Sequence, residues 1–169
     1  MKRPTFPAVL ILMVMCLMPA CDAFADLVRL EVVAESETLW TGVAVSERGR
    51  IFVNFPRWTE ESGISVAEIT ATGDLIPYPD REWNFWKPDL PASDHLVCVQ
   101  SVYMDRANYL WILDPASPRL EGIVPGGPKL LKIDLETDQV INKITFDIST
   151  APEKSYLNDV RIDTVKGFA

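Results

Sequence analysis

Histidine is nearly absent, for His95 is the only one in 169 residues. An HExxH zinc site needs two histidines one helical turn apart, and no Ser-His-Asp order is present either, so neither hydrolase chemistry is supported. Cysteine is also scarce: Cys16, Cys21 and Cys98 contain no CxxC pair. The 8 glycines form no phosphate-binding loop, which removes the nucleotide-binding reading. Basic residues number 16 against 24 acidic ones, for a net charge of −8. Nucleic acids and anionic membrane surfaces reward clustered Lys and Arg, so neither is an expected partner. Long apolar runs are missing too. The longest, residues 8–18, is about half of the roughly 20 residues needed to span a bilayer.

What is present begins with an export signal. Lys2 and Arg3 form a basic n-region, residues 8–18 an apolar h-region, and Ala23-Phe24-Ala25 a cleavage site, the layout of a secretory signal peptide over residues 1–25. The mature chain, residues 26–169, is expected to be secreted to an extracellular or periplasmic location. Residues 17–21 (LMPAC) offer an alternative, a lipobox-like stretch that would place a lipid anchor on Cys21, although Met18 and Pro19 depart from the usual residues. Cleavage after Ala25 leaves Cys98 as the sole cysteine, so no disulfide forms within residues 26–169. Cys98 is expected to be a small buried hydrophobe on a strand.

The mature sequence repeats itself. Residues 43–53 (VAVSERGRIFV) lie without a gap over 102–112 (VYMDRANYLWI), and both over 160–169 (VRIDTVKGFA), at offsets of 59 and 58. A fixed period of this size marks a repeat architecture. Val43, Val45, Ile51 and Val53 flank a polar turn in the first copy, and Val102, Met104, Leu110 and Ile112 do so in the second, which predicts hairpins. A second strand pair follows each time, residues 66–69 with 75–76, then 130–133 with 139–141. Four short strands per repeat, with no helical pattern between them, predict an all-β fold built of β-propeller blades. The Pro-rich stretches 77–93 and 115–128 are expected as surface connections. The third copy stops in mid-strand, so about two and a half blades are expected, the front part of a longer propeller. Such a piece leaves one apolar face uncovered and should aggregate if expressed alone.

Several blocks then carry a family resemblance: residues 40–45 (WTGVAV), 50–58 (RIFVNFPRW), 77–80 (PYPD) with Trp83-Asn84, 99–102 (VQSV), 110–114 (LWILD), 128–135 (PKLLKIDL) and 156–160 (YLNDV). In this order they resemble the Yellow / major royal jelly protein family, from about Trp40 to Ala169. The resemblance implies a secreted six-bladed propeller. Members are tied to pigmentation and dopachrome conversion, to salivary binding of biogenic amines, and to nutrition. Function varies on this one scaffold, so the fold alone does not select among them.

Propeller ligands sit at a mouth of the central channel, where the innermost strands begin. The repeat alignment puts Thr41, Gln100 and Asn158 at one such position and Gly42, Ser101 and Asp159 at the next. These are the candidate ligand-binding residues, for a small molecule such as an aromatic amine or a catechol-derived compound. The same groups are equally accounted for by hydrogen bonding at strand starts. Asn158-Asp159 also resembles the Asn-Asp element of gluconolactonase-type propellers, which hold a divalent cation. That implies Ca²⁺ as cofactor of an alternative, metal-dependent hydrolase. Thr41 and Gln100 are neutral at the matching positions, so the favoured reading has no cofactor and no metal. His95 is the candidate proton-transfer residue for a dopachrome tautomerase-like step, and the bland alternative is a surface histidine. Trp111 is expected in the core, and Trp83, Phe85 and Trp86 either at the channel rim or in packing. A non-enzymatic structural or storage protein is compatible with all of this.

Overall fold

Alternating apolar residues around short polar turns bury one or both faces of a strand, which favours antiparallel meanders. The computed structural model describes residues 30–59 and 63–169. In it β1 (Gly42–Val45), β2 (Ile51–Asn54), β3 (Val66–Ile69) and β4 (Leu75–Pro77) form one sheet. A second consists of β5 (Ser101–Met104), β6 (Tyr109–Asp114), β7 (Lys129–Asp134) and β8 (Gln139–Thr145). Both sheets are four-stranded with sequential antiparallel order, and Val32–Ala169 is one compact unit. The chain is all-β, with the architecture of a partial β-propeller. The signal peptide, the lipobox, Cys16 and Cys21 lie outside the described residues.

The inner hairpins close in the same way. Ser46 N donates to Arg50 O (2.9 Å) and Asp105 N to Tyr109 O (3.0 Å). Gly49 (φ 80°) and Asn108 (φ 62°), 59 residues apart, take the left-handed conformation that both turns need, and glycine and asparagine tolerate it best. Ser46 Oγ and Asp105 Oδ1 brace the turns by accepting from Arg50 N and Tyr109 N at 3.0 Å each.

The third copy departs from expectation. Asp163 N donates to Phe168 O (2.8 Å), a turn one residue longer than in the other copies, and the gapless alignment does not extend through it. Asp163 Oδ1 takes the Val165 and Lys166 amides, and Gly167 adopts φ 72°. Only one isolated bridge, Asp163 with Phe168, forms there, so the expected third blade amounts to a turn and a packed segment. An unaided hairpin is marginal in water, which accounts for its short pairing.

Each sheet uses its two faces differently. Ala44, Phe52, Val66 and Tyr78 of the first pack against Val102, Leu110, Ile112, Leu131 and Ile133 of the second in one core. The opposite face of the second sheet, with Trp111, Leu113 and Leu130, is covered by Phe146, Leu157, Val160 and Ile162. Arg50 joins the sheets at their turn end. It grips Glu68 with two 2.8 Å bonds, reaches Leu135 O (3.0 Å), pairs with Asp138 (2.8 Å) and lies over Phe52 and Tyr78. A planar guanidinium suits this combination of fork and stacking, which lysine cannot reproduce.

The connections contain short helical turns that the alternating pattern does not show. α1 (Arg81–Asn84) is capped by Asp80, whose side chain accepts from Trp83 N (2.8 Å). Asn84 then uses its whole carboxamide in the core: Oδ1 accepts from Ser65 N (2.9 Å) and Val66 N (3.0 Å), and Nδ2 donates to Tyr78 O (3.0 Å) and Asp80 O (2.8 Å). Further on, β8 runs to Thr145 rather than stopping near Ile141.

Candidate functional site

The positions that lead into the inner strands converge. Thr41, Gly42, Gln100, Ser101, Asn158 and Asp159 line one open groove of about 510 Å³, together with β1, β5 and Arg161. Sequence alignment put these residues in register, and the sheet geometry sets them side by side.

They bond to one another across the repeats. Thr41 Oγ1 donates to Gln100 O (3.2 Å), Gln100 Nε2 to Asn158 Oδ1 (3.0 Å), and Ser101 Oγ to Asp159 Oδ1 (2.8 Å). Behind Thr41, Asn54 Nδ2 donates to its hydroxyl (2.8 Å) and to Val99 O (3.0 Å). Asn54 Oδ1 lies close against Gly42, where any side chain would collide with it. That position therefore tolerates only glycine unless the buried Asn54 side chain gives way.

Sequence reasoning missed three members of this region. Arg161 donates to Asp159 Oδ1 (2.7 Å) and lies over the Tyr103 ring. Tyr156 donates from its hydroxyl to Gln100 Oε1 (2.7 Å), and Trp58 Nε1 donates to that hydroxyl (2.7 Å). The forward signals were Trp58 closing the RIFVNFPRW block and Tyr156 standing two residues before Asn158 in the YLNDV block. Partial burial works against the charged form of Asp159, but the bonds from Ser101, Arg161 and the Val160 amide prevail and hold its carboxyl below the ordinary value. Burial raises the Tyr156 hydroxyl above the ordinary phenol range, so it stays protonated at neutral pH.

Other candidates lie elsewhere. His95 is not among the groove residues, and its Nδ1 is 2.8 Å from Glu82 O in the connection between the sheets. Trp86 is buried beside Ala92, Val97 and Cys98, Trp83 packs on the inter-sheet core, and Phe85 is exposed under Lys87. None of the three lines the groove, and of them Trp83 and Trp86 serve packing. Trp111 is in the core as expected, with its Nε1 on Asp105 Oδ2 (2.8 Å). Cys98 is buried and unpaired, but it sits in the bend before β5 rather than on a strand, because Asp114 Oδ1 takes its amide. Burial and then Asp114 push its thiol up to about 11.

A divalent cation does not fit this donor set. Asp159 is the only carboxylate in the groove and is already neutralised by Arg161, and among the described residues no three His, Cys, Asp or Glu side chains converge. Oxygen-ligated calcium requires more negative charge than that.

Repeated four-stranded sheets whose inner strands share a polar groove define a β-propeller-type repeat protein. Within it, residues 97–168, from the approach to β5 through the third copy, match the family described as Major royal jelly protein. The resemblance read from Trp40 onward is thus matched over the second sheet and the third copy. None of the curated proteins matches the chain. A crystal structure of a protein of unknown function from Bacteroides caccae is similar at 13% identity and a TM-score of 0.46, covering 79% of this chain and 38% of that one. The chain thus spans well under half the length of that protein.

Proposed function

We propose that this chain contributes to an exported β-propeller of the Yellow and major royal jelly type that binds a small molecule where its inner strands begin. The observation that carries this reading is the convergence of Thr41, Gln100 and Asn158, one from each repeat, on a single groove. Polar residues occupy this position in all three repeats, at offsets of 59 and 58, and the fold brings them together. Dopachrome-type conversion is the catalytic form of the proposal. It would need a proton-transfer group other than His95, which does not line the groove.

Titrating full-length protein with aromatic amines and a quinone-like substrate, while following binding and turnover, tests both forms. Saturable binding supports the first and turnover the second; no saturable response to any compound removes both. Export rests on residues 1–25. The mass of the mature N-terminus tests it, since a chain beginning at Asp26 supports free secretion and a lipidated Cys21 supports anchoring.

One observation favours a structural or storage role instead. The hydroxyl protons of Thr41 and Ser101 are both taken up between repeats, as in a joint rather than a receptor.

A further inference from the structure

The two carboxamides at the groove have their orientation set from outside it. An indole N–H can only donate. Trp58 Nε1 gives its proton to the Tyr156 oxygen (2.7 Å), and the Tyr156 proton goes to Gln100 Oε1 (2.7 Å). With its oxygen turned toward Tyr156, Gln100 presents Nε2 to Asn158 Oδ1 (3.0 Å). The Asn158 oxygen is thereby engaged, and its Nδ2 is the end left over at a residue that lines the groove. The Tyr156 hydroxyl, receiving from Trp58 and giving to Gln100 Oε1, favours this arrangement of both amides.

The groove's hydroxyls are spent on its own acceptors. Thr41 Oγ1 donates to Gln100 O and Ser101 Oγ to Asp159 Oδ1, so neither hydroxyl keeps a proton for a ligand. Asp159 is offset by the adjacent Arg161. The donors that remain are on Asn158 Nδ2, Gln100 Nε2 and the Arg161 guanidinium, beside apolar walls of Val43, Val45 and Val102.

We propose that this groove selects a small molecule with an apolar body and a carboxylate, and that Trp58 and Tyr156 are positioning residues that set the groove's polarity. The proposal rests on the binding reading above and reverses the charge of the amine expected from the family resemblance. With Asp159 and Arg161 paired and their charges offset, the free amide N–H groups are what favour an anionic oxygen over an ammonium.

The test uses two probes of the same shape, phenylacetate and phenethylamine, titrated calorimetrically into full-length protein. The expected result is at least tenfold tighter binding of phenylacetate. Asn158→Asp, at an exposed position, exchanges donors for acceptors and should abolish or invert that preference. Trp58→Phe frees the Tyr156 hydroxyl to reorient and should reduce the preference several-fold, with circular dichroism showing the fold retained. Equal or tighter binding of phenethylamine overturns the proposal while leaving the binding reading intact. A preference unchanged in Asn158→Asp overturns it as well, and one unchanged in Trp58→Phe overturns the positioning role. Saturable binding of neither probe removes the binding reading and this inference with it.

Discussion

Val43, Val102 and Val160 are one position in three repeats, and they meet different fates. Val102 is 6% exposed against the first sheet and Val160 packs on the second, whereas Val43 is 64% exposed. Val45 follows the same rule: its counterparts Met104 and Ile162 are packed against a preceding sheet, while it is 53% exposed. Each repeat therefore carries a face meant for the sheet before it, and among the described residues the first sheet has none to meet. A buried face belongs to the pair of repeats rather than to the repeat itself.

The sheets also differ at the joint that ends their second strand. In the first, Phe55 N donates to Ser65 O (2.9 Å), and Asn84 satisfies the neighbouring amides. In the second, the same register places Asp114 opposite Lys129, an ion pair with no exposed side chain at 2.8 Å. Asp114 also accepts from the amides of Val97, Cys98 and Ala116, and Lys129 Nζ donates to Ala92 O and Gly127 O. Every polar atom of the pair is occupied, which a buried charge requires. One joint is closed by an aromatic residue and an amide, the other by charge, and only the second continues the strand pairing through it.

The sharpest way to break this comparison is to remove one charge. Lys129→Ala leaves Asp114 buried and uncompensated and should cost about 3–5 kcal/mol in denaturant unfolding. Asn84→Ala strands two amides in the first joint, so a loss of roughly 3 kcal/mol is expected by the same measurement. On the repeat faces, Val102→Ala should cost about 2 kcal/mol and Val43→Ala less than about 0.5 kcal/mol. Equal costs would show that Val43 is covered in solution, as Val53 and Ile69 on the same face already are by Ala34 and Trp40. Ser65→Ala, opposite the end of β2, removes one hydrogen bond to Leu96 O (3.2 Å) and should cost about 1 kcal/mol.

Smaller effects sharpen the chemistry. With its thiol pushed up to about 11, Cys98 should resist iodoacetamide at pH 8 in folded protein and react once unfolded. For the Ser101–Asp159 joint the sign follows from a depressed carboxyl. Its stabilising contribution is present above the ordinary Asp value of about 3.9 and is lost as pH falls through the lower folded value. An acid titration followed by NMR should therefore show the Asp159 and Ser101 signals shifting together below about pH 4.

Much of the fold was legible because strand period and repeat period are both written in the chain. Val43, Val45, Ile51 and Val53 announce a hairpin, and their recurrence at residue 102 announces a second blade. The groove residues were legible through the same alignment. The partners of those residues were not: Trp58 and Tyr156 are 98 residues apart, and nothing local marks an indole donor and a phenol as neighbours. Lys129 was equally hidden, since within an apolar run a lysine looks like a solvent-facing residue until Asp114 is placed across from it. His95 lies away from the groove, because its place depends on how the connection between the sheets folds back onto Glu82.

Sequence by itself determined the strand alternation, the hairpin turns and which positions correspond across repeats, because each depends on neighbours a few residues away or on a fixed period. Tertiary structure decided which apolar face is covered, which charge is buried and which end of each carboxamide faces the groove. Those outcomes depend on contacts between residues distant in the chain, and only packing brings them within bonding range.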